Sequence, residues 1–344
     1  MTIEWLAGNR LKGTTAERPA FGLQSPSVGG WVELGRTTLG SAGDNIDITS
    51  LPDKRYYMYL LHRDTSGSTS ARMTFNDDSG SNYSTRYASD GTEYTATSQA
   101  YVSQHTSASQ DSFTCGYIAN KSSNEKLVQS WIVGNASPPS RYEQFWKWTN
   151  TSSAINRMDI FNHLGGDFAS GSELVVLGWD PSDTHTTNFW EELADSSWSS
   201  GQTMDSGSFT SKKYLWIQYY VKSSGLCRDT IRFNNDTGSN YSKRKSDEGG
   251  SDSTTTSNAE IRSQGNRYNI SYGSFFVVNN SSNEKLVTGH FVGQNSSGAG
   301  AGNAPSRTEA VGKWANTSSQ ISSVQIHDLT TNFTGGQIKV WGAD

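Results

Sequence analysis

The decapeptide FNDDSGSNYS at residues 75–84 returns as FNNDTGSNYS at residues 233–242, 158 positions later. Two more segments return in the same order. SSNEKLV at 122–128 recurs at 281–287, and KWTNTSSAI at 147–155 recurs as KWANTSSQI at 313–321. Between the last two anchors the spacing grows by seven residues, and the extra length falls in the glycine-rich stretch Gly293 to Arg307, set against Gly134 to Arg141. An insertion confined to one loop leaves the framework around it intact. A repeat of roughly 150 residues is far longer than a solenoid or propeller unit, so the chain is a duplicated domain. The units run over 31–179 and 190–344, joined by a short polar linker at 180–189, and residues 1–30 form an extended N-terminal arm outside both.

Within a unit the apolar residues alternate. In KKYLWIQYYV (residues 212–221), Leu215, Ile217, Tyr219 and Val221 share one face, while Trp216, Gln218 and Tyr220 share the other. Tyr57, Tyr59 and Leu61 make the matching inner face of the first unit. Period two marks strands half-buried in a sheet, and turn-forming runs such as DDSGSN, NDTGSN, DEGG and LGGD separate them. With 34 glycines spread through 344 residues, long helices have no room, since each interior glycine costs about 1 kcal/mol against alanine. The expected fold is all-β: two tandem antiparallel β-sandwiches, jelly-roll-like, with about eight strands each.

Charge and composition exclude several functions. The net charge of −5, with no Lys/Arg block, gives no footprint for nucleic-acid binding. No run approaches the roughly 18 apolar residues that a helical membrane span needs. The segment MTIEWLAGNR lacks a basic start and an apolar core, so no secretory signal is expected. Two cysteines, Cys115 and Cys227, cannot form a disulfide framework.

Chemistry-bearing patterns are few. The repeated turn places oxygens at alternate positions, with Asp78 and Asp236 as candidate calcium ligands. A calcium loop also needs further carboxylates and a bidentate glutamate in register, which this turn lacks, and Asx caps on a tight turn account for the same residues. The six histidines show no ligand spacing, and none recurs in both units. There is no nucleophile elbow, P-loop or dinucleotide fingerprint, so neither a cofactor nor an enzymatic activity is expected. Asp77 becomes Asn235 in the second copy, so a role shared by both units does not need that carboxylate. The eleven tryptophans offer stacking surfaces for sugars or partner subunits. Trp148 and Trp314, being equivalent, read as core. Trp146, which is Gly312 in the other copy, reads as a surface candidate, and Trp216 and Tyr220 as a subunit contact or glycan face. Trp5 and Phe21 are the aromatic contacts of an arm with too few apolar residues to form a core of its own, expected to dock on a neighbouring subunit or a second virion protein, the alternative being that it folds back along the edge of the first domain.

The motifs Phe75 to Tyr83, Trp148 to Ile155 and Phe168 to Gly178, with their counterparts Phe233 to Tyr241, Trp314 to Ile321 and Phe333 to Gly342, resemble those of virion structural proteins of tailed phages and related environmental viruses. The resemblance covers both units, with FNDD in the first copy departing from the usual pattern and residues 1–30 matching nothing in it. It implies a non-enzymatic head decoration (cement or turret) or tail-fibre subunit, assembled in the host cytoplasm into a virion as a homo-oligomer with other virion proteins. The alternative is an extracellular adhesin module that binds a host-surface glycan or receptor through exposed aromatics.

Overall fold

The computed structural model describes residues 30–181, 183, 188–262, 268–294, 297–299 and 304–344, together with the backbone of the short strands Glu4–Leu6, Arg10–Lys12 and Ser27–Val28. Every regular element among them is a strand. No helix is long and apolar enough to cross a membrane.

The chain folds into two antiparallel β-sandwiches. In the first, an eight-stranded sheet runs in the order Thr92–Gln99, Tyr83–Ser89, Ser140–Trp148, Lys126–Gly134, Ser112–Ala119, Tyr56–Arg63, Glu173–Trp179, Val32–Thr38. It packs on a four-stranded sheet of Val102–Ser103, Ala71–Phe75, Met158–Asn162 and Asn45–Ile48. The second sandwich repeats the plan with Ser253–Asn258, Tyr241–Asp247, Ser306–Trp314, Lys285–Gly293, Tyr268–Val278, Tyr214–Cys227, Phe333–Ala343 and Trp190–Trp198. Its small sheet contains Thr203–Asp205, Val324–Asp328, Asp229–Phe233 and Ile261–Arg262. A ninth strand, Ser27–Val28, pairs with Trp190 and Glu191 at the edge of this second large sheet, so the described end of the arm is tied to the far unit.

The alternation read from sequence sets the two inner cores. Tyr57, Tyr59 and Leu61 enter the first, and Leu215, Ile217, Tyr219 and Val221 the second. The opposite faces are only partly left to water. Met58, Leu60, Phe113, Cys115, Val175 and Leu177 of the first large sheet form a third core with Trp190, Tyr214, Phe276, Leu286, Val311 and Trp341 of the second. The molecule is therefore four layers deep, with the large sheets back to back at its centre. Equivalent residues meet across the junction: Trp131 lies 4.9 Å from His290 and Tyr117 lies 6.5 Å from Phe276, ring centre to ring centre. Two copies of one fold meeting through matching residues are related by an approximate twofold axis.

That symmetry is broken at the ends. Where the start of the Tyr214–Cys227 strand meets the first unit, Glu173 accepts hydrogen bonds from Tyr214 Oη at 2.8 Å and Arg36 Nη1 at 2.9 Å, and pairs with Lys213 at 3.0 Å. Nearby, Asn283 Nδ2 donates to Asp64 Oδ1 at 2.9 Å and Lys313 Nζ donates to the Asn135 carbonyl at 2.9 Å. No mirror set joins the equivalent end of the first unit to the second among the described residues.

Trp216 occupies this junction. It stacks on Phe276 at 5.4 Å, lies 5.3 Å from Trp341, and donates its indole N–H to Ser274 Oγ at 3.0 Å. Where it was expected to meet another subunit, it is half-buried against the cluster that joins the two units of this chain. Both cysteines are buried as free thiols.

Candidate functional site

The three repeated motifs converge at one end of each sandwich, where they form a structural knot. Asn76 and Asp77 adopt φ of 54° and 57°, and Asn234 and Asn235 adopt 52° and 56°. This left-handed pair is what a tight turn requires and what Asn and Asp tolerate best. Asn76 Oδ1 caps the amides of Asn156 and Arg157 at 2.9 and 3.1 Å, and Asn234 Oδ1 caps those of Ser322 and Ser323 at 2.8 and 3.1 Å. Tyr83 and Tyr241 each accept the amide of the motif phenylalanine, Phe75 or Phe233, at 2.9 Å.

Asp78 and Asp236 sit at the centre of these knots. Asp78 accepts the Trp148 indole N–H at 2.6 Å, the Gly80 amide at 2.9 Å and the Asn82 amide group at 3.0 Å. Asp236 accepts Trp314 at 2.7 Å, Gly238 at 2.8 Å and Asn240 at 2.9 Å. For both carboxyls burial pushes the pKa up, and these donors, led by the indole, more than reverse it and hold the groups below the usual aspartate range. Their oxygens are occupied by protein donors where the calcium reading needed them open. Among the described residues no three His, Cys, Asp or Glu side chains are placed to share a metal ion. On the far side of each tryptophan lies a buried lysine. Lys126 Nζ donates to the carbonyls of Asn124 and Asn150 at 3.0 Å, and Lys285 Nζ to those of Asn283 and Asn316 at 2.8 Å. Burial pushes the Lys285 pKa down to about 8.

Trp146 is likewise structural. It is 3% exposed and stacks on Phe75 at 5.1 Å, so it belongs to the first core and not to the surface. The second copy solves the same packing problem differently. A Cβ on Gly312 would lie 2.6 Å from Ile261 Cδ1, so the isoleucine, at the register position of Val102, takes space that a side chain at 312 would need. Tyr220 is 45% exposed on the open part of the second large sheet beside Tyr272. Phe21 and the side chain of Trp5 lie outside the described residues.

The feature left over is a groove of about 830 Å³ on the outer face of the first large sheet. Tyr56 and Trp179, cross-strand neighbours, stack at 5.3 Å, and with Leu127 and Phe145 they present apolar surface that is 36 to 58% exposed. Trp31 and Tyr117, 6.0 Å apart, line it where the units join. The far wall is Thr95 and Thr97 of the edge strand, and Ser84, Arg86, Gln129 and Lys147 are spaced between. Strand register matches this face position by position to a buried one in the second unit: Tyr56 to Tyr214, Tyr117 to Phe276, Leu127 to Leu286, Phe145 to Val311 and Trp179 to Ala343. All five counterparts lie in the third core. At four of the five, Tyr56, Leu127, Phe145 and Trp179, the first unit thus keeps open to solvent the apolar face that the second unit buries, while Tyr117 is half-buried where the units join. Sequence reasoning missed it because period two separates inside from outside but cannot tell which outward residues have cover. Apolar residues at outward positions of both copies were the signal available.

No protein-family model matches the chain, and no curated protein matches it. Among solved structures it is similar to domains LG4-5 of the mouse laminin alpha1 chain, at 10% identity over 94% of this chain and 93% of that one, with a TM-score of 0.19. It is also similar to a Pseudomonas aeruginosa FadL homologue, at 9% identity over 85% and 90%, with a TM-score of 0.09. Likeness at that level carries no argument about what this chain does.

Proposed function

We propose that this chain is a non-enzymatic structural subunit of a virus particle, a head decoration or tail-fibre protein, whose first sandwich holds a partner in its open groove. The observation that carries the reading is the unequal use of one face in two copies of a domain. The second unit's face joins the units, and the first unit's equivalent face stays apolar and exposed, which in a soluble module marks an interaction surface. The duplicated polar residues support the same reading, because Asp78, Asn76, Tyr83, Lys126 and their counterparts act in the knots that hold the fold. The groove also favours a second reading, an adhesin displayed at a cell surface. Immunogold labelling with antibodies to the protein separates the two. Label on the outside of purified particles is expected, and particles that lack the protein by mass spectrometry, with label on cells instead, would replace the first reading by the second.

A further inference from the structure

Resting on the reading of the groove as a recognition site, we infer that its ligand is an acidic oligosaccharide, one whose pyranose rings lie along the aromatic floor and whose carboxylate meets Arg86. The groove crosses the sheet from the edge strand to Trp179, through the strands of Arg86, Phe145, Leu127, Tyr117 and Tyr56. Six strand spacings make it roughly 29 Å long at about 4.8 Å each, which suits an extended chain of several sugar units. Its floor offers ring faces, on which the C–H faces of sugars stack, and its length is studded with the neutral hydrogen-bonding side chains of Ser84, Thr95, Thr97 and Gln129.

The charge of the groove is one-sided. Among the described residues no carboxylate lines it. Of its two cations, Lys147 is paired with Glu125 at 2.7 Å, whereas Arg86 is exposed and has no ion pair among the described residues. The second copy shows what this position accepts. Its equivalent, Arg244, donates to the Pro139 carbonyl at 2.9 Å and pairs with Asp90 of the first unit at 3.1 Å, on the flank of the buried face. Arg244 also lies 3.7 Å from Asp252 of its own unit, so an apolar surface flanked by an arginine that meets carboxylates is how the second unit is held, and among the described residues no carboxylate pairs with Arg86 in the first. A guanidinium binding a carboxylate with two parallel hydrogen bonds would select acidic over neutral sugars.

The test is titration of the full chain with three probes, an oligogalacturonide, a neutral oligogalactoside of equal length and a long-chain fatty acid, read by calorimetry and by the fluorescence of Trp31 and Trp179. The oligogalacturonide should bind most tightly. Arg86→Gln should weaken it roughly tenfold or more, as expected for loss of a charged hydrogen bond, while leaving the neutral probe unchanged. Phe145→Ala should weaken both sugars, and Tyr220→Ala, outside the groove, neither. Arg86 and Phe145 are surface residues, and unchanged melting curves will confirm that each variant is folded. Equal binding of both sugars, binding of the fatty acid alone, or no binding of any probe overturns the inference. Particle labelling, which does not depend on the ligand, shows separately whether the functional reading survives.

Discussion

Replacing Asp236 by alanine tests whether the repeated turn is a tryptophan cap or a calcium site. In the fold, the Asp236 carboxylate is the acceptor for the indole N–H of Trp314, a side chain only 1% exposed. Alanine leaves that donor buried without a partner, which costs about 1–3 kcal/mol, and it also removes a hydrogen bond to a charged group. The Gly238 amide and Asn240 are exposed, so water replaces the carboxylate there and adds little. The expected loss is about 2–3 kcal/mol. For a unit of this size that lowers the melting temperature by roughly 4–12 °C. Differential scanning calorimetry gives the shift, and near-ultraviolet circular dichroism reports the tryptophan environment. Asp78→Ala should cost the same within about 1 kcal/mol, because its partners and distances match. Adding calcium or a chelator to the wild type should move neither transition. If Asp236→Ala melts like the wild type, or if calcium raises the wild-type transition and the variant abolishes that rise, the cap argument is wrong.

Two further outcomes follow from the packing and the ionisation. Residues 188–344 expressed alone should keep a β-type far-ultraviolet spectrum yet associate and bind an apolar dye, since Tyr214, Phe276, Leu286 and Val311 lose their cover, and Leu286→Lys should restore a monomer; an unmodified fragment that is monomeric and dye-free contradicts the shared core. Burial pushes the Asp328 pKa up, but hydrogen bonds from Thr331, the Thr330 and Arg228 amides and Ser223 outweigh it and hold the group down to about 2. Its folded pKa lies below its ordinary value of 3.8, so its stabilisation is full above that pH and is lost as pH falls through about 2. Asp328→Asn should therefore be less stable than the wild type at pH 7, with the gap narrowing below pH 4; a gap independent of pH would refute the assignment.

Much of the fold was legible because duplication supplies its own control. Motifs that recur with their spacing had to be framework, and the strands with alternating side chains were visible one by one. The polar edge strands Thr92–Gln99 and Ser253–Asn258 were not, because TEYTATSQ and STTTSN bury almost nothing and leave no hydrophobic period to read. Both carry a register irregularity, and Ser98 and Ser257 have φ near 55°, a kink that keeps an open sheet edge from pairing with other chains. The aromatic candidates fared unevenly for a related reason. Trp146, unmatched in the second copy, pointed to the surface only on the premise that a residue absent from one copy is dispensable. Here its volume is balanced by an exchange at Val102 and Ile261.

The third core explains why the outward residues of the central strands are as apolar as the inward ones. In YYMYLLHR, Tyr57, Tyr59 and Leu61 serve the sandwich, while Met58 and Leu60 serve the junction. A strand buried on both faces reads as a nearly continuous apolar run. A perfect twofold would have given this outer face the same cover in both units, and would have left either two grooves or none. The observed junction is closed at one end, by Glu173, Lys213 and Tyr214, and open at the other, where Tyr56, Leu127, Phe145 and Trp179 face solvent. Exposed apolar area of this kind is an aggregation liability, so its presence at positions whose counterparts are buried calls for a compensating use. A bound partner supplies one. On the proposed reading, the second unit's face is fixed by the need to pack, whereas the first unit's face is free of that constraint, and Phe145 in place of Val311 and Trp179 in place of Ala343 are the two positions at which it carries the larger aromatic floor.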